Sequence, residues 1–405
     1  MLKEYIKQNW TNTIRDTSCK GHGNIILPKP FSSPSIEDKF QDFYYWDTYF
    51  INVGLITDGL LEQAKNNIDN IAFFIRRMGY MPNASHLHNT SQPPLFTRAV
   101  FDYYANTKDV SILKDNLDAI LIEYEFFMKE RTTQIGLNQY GCCGYSEDSF
   151  DGLYSYFSNR LGIKKDTLEE KIQFVKNLLA ICESGWDCTP CFDAPDEPYV
   201  IDRFVQVALN SLLYDVEVKI AKIYKILGDG KQSKAFLKLA KSRKKLVNKY
   251  LFDKNRRIYL DYNFIDGLFS STVSTASFYP YAVGLKGSKK DLKNLLNLLE
   301  LPYGVSTCEY KPKSNYLQWD YPLMWAPQTY FTYEALKQNG LRKDANRIAR
   351  KYMQTVEDNY NKTGVLWEKY NAKTGEIGSA KESVANPMLG WTAGVYQYFG
   401  KELNK

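Results

Sequence analysis

Residues 60–78 read LLEQAKNNIDNIAFFIRRM, and the spacing of their apolar side chains decides the class of the fold. Leu61, Ala64, Ile68, Ile71, Phe74 and Ile75 recur three or four positions apart. That period lines one face of a helix and leaves Glu62, Lys65, Asp69 and Arg76 for the other. Similar stretches run through residues 110–130, 168–180, 205–227, 231–250, 289–299, 328–339, 342–358 and 383–399. Leu227-Gly228-Asp229-Gly230 and Asn339-Gly340 punctuate them where helix ends need a turn residue. Strand-like runs are short, at residues 257–263 and 364–370. No βαβ rhythm and no Gly-rich loop after a strand is present, which argues against a nucleotide-binding sheet. No Pro/Ser-rich linker divides the chain. The sequence predicts an all-α protein, one domain over residues 1–405 with residues 1–40 as an N-terminal arm packed on it.

Composition narrows the partners. Of the 405 residues, 44% are hydrophobic and 24% charged, ordinary values for a soluble globular chain with a sizeable core. The net charge of +6 is spread out. The densest basic run, residues 238–249, carries apolar residues at helical spacing and reads as a solvated helix face, not a nucleic-acid patch. No apolar run approaches membrane-spanning length, so no membrane partner is expected. The first sixteen residues, MLKEYIKQNWTNTIRD, lack a signal-peptide core. With seven cysteines, an odd number, the expectation is reduced thiols in the cytoplasm. The unusual feature is 15% aromatic residues, a surplus of Tyr and Trp that suits a pocket for a sugar, with its apolar faces and polar rim.

Five segments break the helical pattern and share an aromatic, acidic, Gly/Pro/Asn-rich composition: residues 43–50, 82–94, 183–192, 318–328 and 367–372. They read as loops. Trp-Asp occurs in three of them, as Trp46-Asp47, Trp186-Asp187 and Trp319-Asp320. An indole offers a flat apolar face and the neighbouring carboxylate accepts hydrogen bonds, a combination that matches a pyranose and its hydroxyls.

In order and wording these segments resemble glycoside hydrolase family 37, the trehalases, of the clan that also holds the family 63 inverting α-glucosidases and mannosylglycerate hydrolases. The likeness starts at Leu27-Pro-Lys-Pro-Phe31 and the run from Lys39 to Phe50. It passes through Pro82-Asn83, Ser91-Gln-Pro-Pro94, Glu183-Ser-Gly-Trp-Asp187, Leu209-Asn210, Gln318-Trp-Asp-Tyr-Pro322 and Glu368-Lys-Tyr370, and ends at Gly390-Trp-Thr-Ala-Gly-Val395. The resemblance implies an (α/α)6 barrel with long loops forming a sugar pocket. It also implies Asp187 as general acid and Glu368 as general base of an inverting hydrolysis. An inverting pair stands roughly 6.5–9.5 Å apart, with room for the attacking water. Trp46, Asp47, Asn83, Gln92, Glu183, Trp186, Trp319, Asp320 and Trp391 match the substrate-binding segments. No cofactor and no metal is expected; the partner is a small α-linked glycoside.

The chain departs from the family pattern at positions where arginine is usual. Lys39, Thr90 and Cys191 stand there, and Gly141-Cys-Cys-Gly-Tyr-Ser146 offers no counterpart to a further arginine upstream of the acid. A hydrogen bond to a charged group is worth ~1.5–3 kcal/mol, so losing several weakens recognition of the family's disaccharide about a thousandfold or more. The catalytic pair is retained while the substrate-reading shell is altered. The rival from the same barrel is a non-catalytic sugar-binding protein. Cys188-Thr-Pro-Cys191 has redox-pair spacing without the βαβ context it needs. Three histidines, His22, His86 and His88, leave little for zinc or for epimerase chemistry. Asp193, Asp196 and Glu197 lack calcium-loop spacing.

Overall fold

The computed structural model describes residues 2–17, 25–37, 39–285, 287–312 and 317–405; Cys19 and His22 lie outside them. Behind a short helix α1 (Leu2–Asn9), the chain runs as helical hairpins. These are α2 (Tyr45–Asp58) with α3 (Leu61–Met78), α4 (Phe96–Thr107) with α5 (Ser111–Glu130), and α6 (Glu147–Leu161) with α7 (Leu168–Glu183). Then follow α8 (Val207–Ile226) with α9 (Gly230–Tyr250), α10 (Tyr279–Ala282) with α11 (Lys289–Leu299), and α12 (Ala326–Gln338) with α13 (Arg342–Thr363). The last helix is α14 (Gly390–Leu403). Packing sorts them into two rings. α2 touches α4, α4 touches α8, and contact passes on through α10, α12 and α14 back to α2. Six inner helices backed by an outer layer make an (α/α)6 barrel. The α6–α7 pair lies outside the inner ring.

The outer helices follow the period read from sequence. In α3, Ala64, Ile68, Ile71, Phe74 and Ile75 are buried while Arg76 and Arg77 are exposed. On α9, Lys238, Lys241, Lys245 and Lys249 face solvent. The inner helices differ. Every residue from Tyr45 to Leu55 of α2 is buried, as are residues 326–336 of α12. A helix enclosed on all sides has no polar face to mark its turns, so residues 43–50, expected as a loop, in fact open α2. The last helix also starts later than the period over 383–399 implies. Residues 383–389 run as irregular chain, with bridges Ser379–Val384 and Trp367–Pro387. Pro387 has no amide proton for a helix interior, and its carbonyl accepts from Ser35 Oγ at 3.0 Å.

The inner ring closes where its first and last helices cross. A Cβ on Gly54 of α2 would lie 2.6 Å from the Gly394 Cα of α14 and 2.7 Å from the Trp10 indole. A Cβ on Gly394 would run into the Phe50 carbonyl. Only paired glycines allow backbones this close. Trp10, buried beside the seam, donates its indole N–H to Asp58 at 2.8 Å, and α1 packs Leu2 and Ile6 into the core.

Strands are minimal, and one pairing matters for the site. Leu323–Trp325 and Lys369–Asn371 form an antiparallel ladder with Trp325 opposite Lys369. It lies at the end of the barrel where α2, α12 and α14 begin.

Candidate active site

At this end α2 presents Trp46 and Asp47 from its first turn. Tyr45 beside them fixes the helix start: its hydroxyl donates to Glu123 of α5 at 2.5 Å and accepts from the amides of Leu95 and Phe96, at 3.0 and 2.7 Å, where α4 begins. Trp46 Nε1 and Asp47 Oδ1 are buried and have no hydrogen-bond partner among the described residues. Burial, helped by the charge of Glu368, pushes the Asp47 carboxyl up to about 7. A buried polar group left without a partner is costly unless a ligand or water meets it.

The acid segment arrives from the end of α7. Gly185, at φ +75°, turns the chain so that the space of its missing Cβ lies 3.4 Å from Gln92 Oε1 and 3.5 Å from the Trp46 ring. Gln92 Nε2 holds the turn by donating to the Cys182 carbonyl at 2.8 Å. Asp187 keeps part of its surface open to the pocket, yet burial pushes its carboxyl above the ordinary aspartate range. Arg160 and a hydrogen bond from the Cys182 thiol pull the other way, and the charge of Glu368 adds to the rise.

Glu368 comes from the far side of the ring and is buried. The Lys369 ammonium lies 2.7 Å from its Oε1 and donates also to Ser383 Oγ at 2.8 Å. That ion pair supplies the counter-charge a buried carboxylate needs. The backbone is pinned on both sides: Glu368 N–H donates to Asn386 O at 3.1 Å, and Trp391 Nε1–H donates to Glu368 O at 2.9 Å.

A column of indoles joins the two segments. Trp186 stacks on Trp319 at 5.7 Å and 19°, Trp319 on Trp325 at 4.0 Å and 4°, and Trp391 meets Trp325 edge-on at 5.7 Å. Lys369 Nζ lies over the Trp325 ring at 5.0 Å, in cation–π contact. Asp187 and Glu368, remote in sequence, thus sit on one scaffold within reach of each other's charge.

The structure brings Trp46, Asp47, Gln92, Trp186, Asp187, Trp319, Glu368 and Trp391 together at this end of the barrel. Asn83 and Asp320 both accept hydrogen bonds from backbone amides. The Asn83 carbonyl accepts from Tyr45 N–H at 3.0 Å, and Asp320 Oδ1 from Tyr321 N–H at 2.7 Å. Glu183 is engaged elsewhere. It is fully buried, and its two oxygens accept from Arg131 Nε and Nη2, both at 2.8 Å, from Ser91 N–H at 3.0 Å and from Gly141 N–H at 2.7 Å. In place of a sugar ligand it is a knot tying three loops behind the pocket.

Where the resemblance leads one to expect arginine, Lys39 is exposed, Thr90 is buried, and Cys191 packs its sulfur 3.8 Å from that of Cys308. Three features escaped the sequence reading, Trp325, the Cys182 thiol and Arg160, while the sequence placed Lys369 beside Glu368 without fixing its direction. Lys369 and Trp325 stood in segments already marked as unusual; Arg160 and Cys182 sit in helices and carried no signal. Among the described residues no group of three or more His, Cys, Asp or Glu side chains is arranged to hold a metal ion, and no helix is long and apolar enough to cross a membrane.

Known proteins resemble this arrangement along the whole chain. A trehalase of Dictyostelium discoideum is 28% identical over 96% of the chain and 70% of its own length. A periplasmic trehalase of Escherichia coli is 27% identical over 97% of the chain and 73% of its own length. Among solved structures, the neutral trehalase of Saccharomyces cerevisiae superposes with a TM-score of 0.76 at 22% identity, covering 100% of this chain and 80% of that one. A family 63 mannosylglycerate hydrolase from Thermus thermophilus gives 0.68 at 13% identity, covering 99% and 100%. The trehalase family model matches residues 1–404, and the chain belongs to the trehalase family of glycoside hydrolases.

Proposed function

We propose that this trehalase-like α-glycosidase hydrolyses a small α-linked glycoside with inversion, using Asp187 as general acid and Glu368 as general base. One observation supports the reading: two carboxyls from distant segments lie close enough for the charge of Glu368 to act on Asp187, in opposite electrostatic settings. Burial raises the Asp187 carboxyl above the ordinary aspartate range. Glu368 has an ammonium at 2.7 Å. In the reaction the Asp187 proton passes to the departing glycosidic oxygen as the C–O bond breaks. Glu368 takes a proton from the water that attacks the opposite face of the anomeric carbon. This requires the gap of roughly 6.5–9.5 Å typical of inverting pairs. Trp46, Asp47 and the indole column offer the apolar wall and acceptors for the sugar being cleaved.

The anomer of the first product tests this directly. Hydrolysis of α,α-trehalose with inversion releases one β- and one α-glucose per turnover, while retention releases only α-glucose; NMR within the first turnovers separates them. Exclusive α product would overturn the mechanism. No turnover of any α-glycoside, with sugar binding intact, would favour the non-catalytic reading. The free thiols of all six described cysteines support a reducing compartment, and cell fractionation checks it.

A further inference from the structure

Four of the inner helices, α2, α4, α12 and α14, start at the catalytic end of the barrel, so their last turns gather at the other end. There they surround a second cavity of about 240 Å³. Thr57 of α2, Asn106 of α4, Glu334 of α12 and Lys401 of α14 all line it. At ~1.5 Å of rise per residue, the run from Asp47 to Thr57 sets it roughly 15 Å from the catalytic end. None of the residues brought together there lines this cavity.

The wall is charged yet balanced. Arg98, Lys401 and Lys405 stand against Asp102, Glu334 and Glu402. Two of the carboxylates are already paired, with the Lys337 ammonium 2.8 Å from Glu402 and 3.3 Å from Glu334. Lys401 is exposed to solvent. A net-charged guest would find no spare counter-charge, and a charge taken out of water without one is costly. What the wall does have to spare is hydrogen bonding. Arg98, nine-tenths buried, donates from Nε to the Tyr49 hydroxyl at 2.9 Å and from Nη1 to Asp215 at 3.1 Å. Its Nη2 donates to no group among the described residues. Asp102 Oδ2 accepts from the Tyr49 hydroxyl at 2.9 Å, and its Oδ1 has no hydrogen-bond partner among the described residues. The Asp102 side chain, 33% exposed, lines the cavity 3.9 Å from Arg98 Nε, so the spare donor and the spare acceptor are neighbours. Tyr49, Tyr330 and Tyr398 add aromatic surface to the same wall.

A ring with adjacent hydroxyls answers all three. One hydroxyl accepts from the guanidinium, its neighbour donates to the carboxylate, and the C–H face lies against the tyrosines. We propose that this cavity is a second binding site, for an uncharged polyhydroxylated molecule of monosaccharide size. Pockets for drug-sized ligands run from ~300 Å³ upward, so one sugar ring fits here and two do not. The site goes beyond the hydrolase reading and does not depend on it. Because α2 and α12 carry Asp47 and Gln328 towards their other ends, a bound molecule ties together helices that frame the catalytic site.

Calorimetry on the full chain tests this, with glucose and myo-inositol as neutral probes. Glucosamine and glucuronate serve as similar rings bearing a positive or a negative charge. The catalytic end is also read as a sugar pocket, so the readout is the binding event lost on substitution far from it. Wild type should bind one equivalent of a neutral probe here. Asp102→Leu should raise the dissociation constant of that event about 10- to 100-fold, the range for a hydrogen bond to a charged group. Asn106→Trp, at an exposed position, fills the cavity from its rim and should abolish the event. Circular dichroism and the urea midpoint confirm the fold of each variant, and Asn106→Trp carries the test if Asp102→Leu does not fold. Saturable binding of neither neutral probe, an event that the folded variants retain, or tighter binding of a charged analogue overturns the proposal. Turnover is not read, so the hydrolase reading stands or falls separately.

Discussion

Glu183 and Asp187 stand four residues apart at the end of one helix, and the fold puts them to opposite uses. Glu183 is fully enclosed, and its oxygens accept four hydrogen bonds, two of them from the Arg131 guanidinium. Asp187 has one thiol donor, a more distant cation and a partly open surface. A buried carboxylate with every lone pair matched and its charge balanced holds structure together. One that is desolvated and under-supplied with donors has its pKa raised, the direction a general acid needs. Burial alone does not separate the two; the donor inventory does.

The comparison breaks most visibly through activity. Asp187→Asn should lower kcat by about 10^4-fold, the upper range for general-acid catalysis, while the fold survives. Its effect on stability has a definite sign. A carboxyl whose native pKa lies above its unfolded value contributes stability that is complete below the unfolded pKa and lost as pH rises through the native one. At neutral pH and above, the asparagine variant should therefore match or exceed wild type in thermal denaturation. Glu183→Gln should do the reverse. It leaves the Arg131 charge buried with half its partner, costing about 3–5 kcal/mol, read as a lower midpoint in urea; a variant as stable as wild type would remove the structural role assigned to this residue. Next in size is Lys369→Met, which strips the counter-charge from Glu368. A loss of about 100-fold in kcat is expected, within the range for general-base catalysis, together with a lower urea midpoint because Glu368 is left buried without its counter-charge.

The smallest effect sharpens the comparison most. Activity should fall as pH rises through the Asp187 pKa, which lies above the ordinary carboxylate range. The Cys182 thiol favours the ionised acid, so Cys182→Ala should move that alkaline limb upward by less than about one unit, and Cys182→Ser should restore it. A limb that stays put in the alanine variant would mean the thiol does not touch the acid in solution.

How much of this the sequence announced depends on which side of a helix faces water. The outer helices α3, α5, α9 and α13 each show solvent one face, and their periods were legible. α2 shows it none, and its opening turn passed for a loop although its Trp-Asp pair marked it as a site. The two acids proposed for catalysis were legible because they stand in short, unusual, irregular stretches. Glu183 sits in the same words, and its tie to Arg131 was not legible, because that partner lies at the end of another helix and no spacing reveals a tertiary ion pair. Arg160 was invisible for the same reason.

The Gly54–Gly394 crossing has a consequence for how the molecule is made. Its two halves are separated by most of the chain, so during translation α2 emerges hundreds of residues before the helix that must lie against it. Until the final segment leaves the ribosome, a groove shaped for α14 stays uncovered on the nascent protein. A chain cut short before Gly390 keeps both proposed catalytic carboxylates in its sequence and has no means of shutting the circle that brings their segments together.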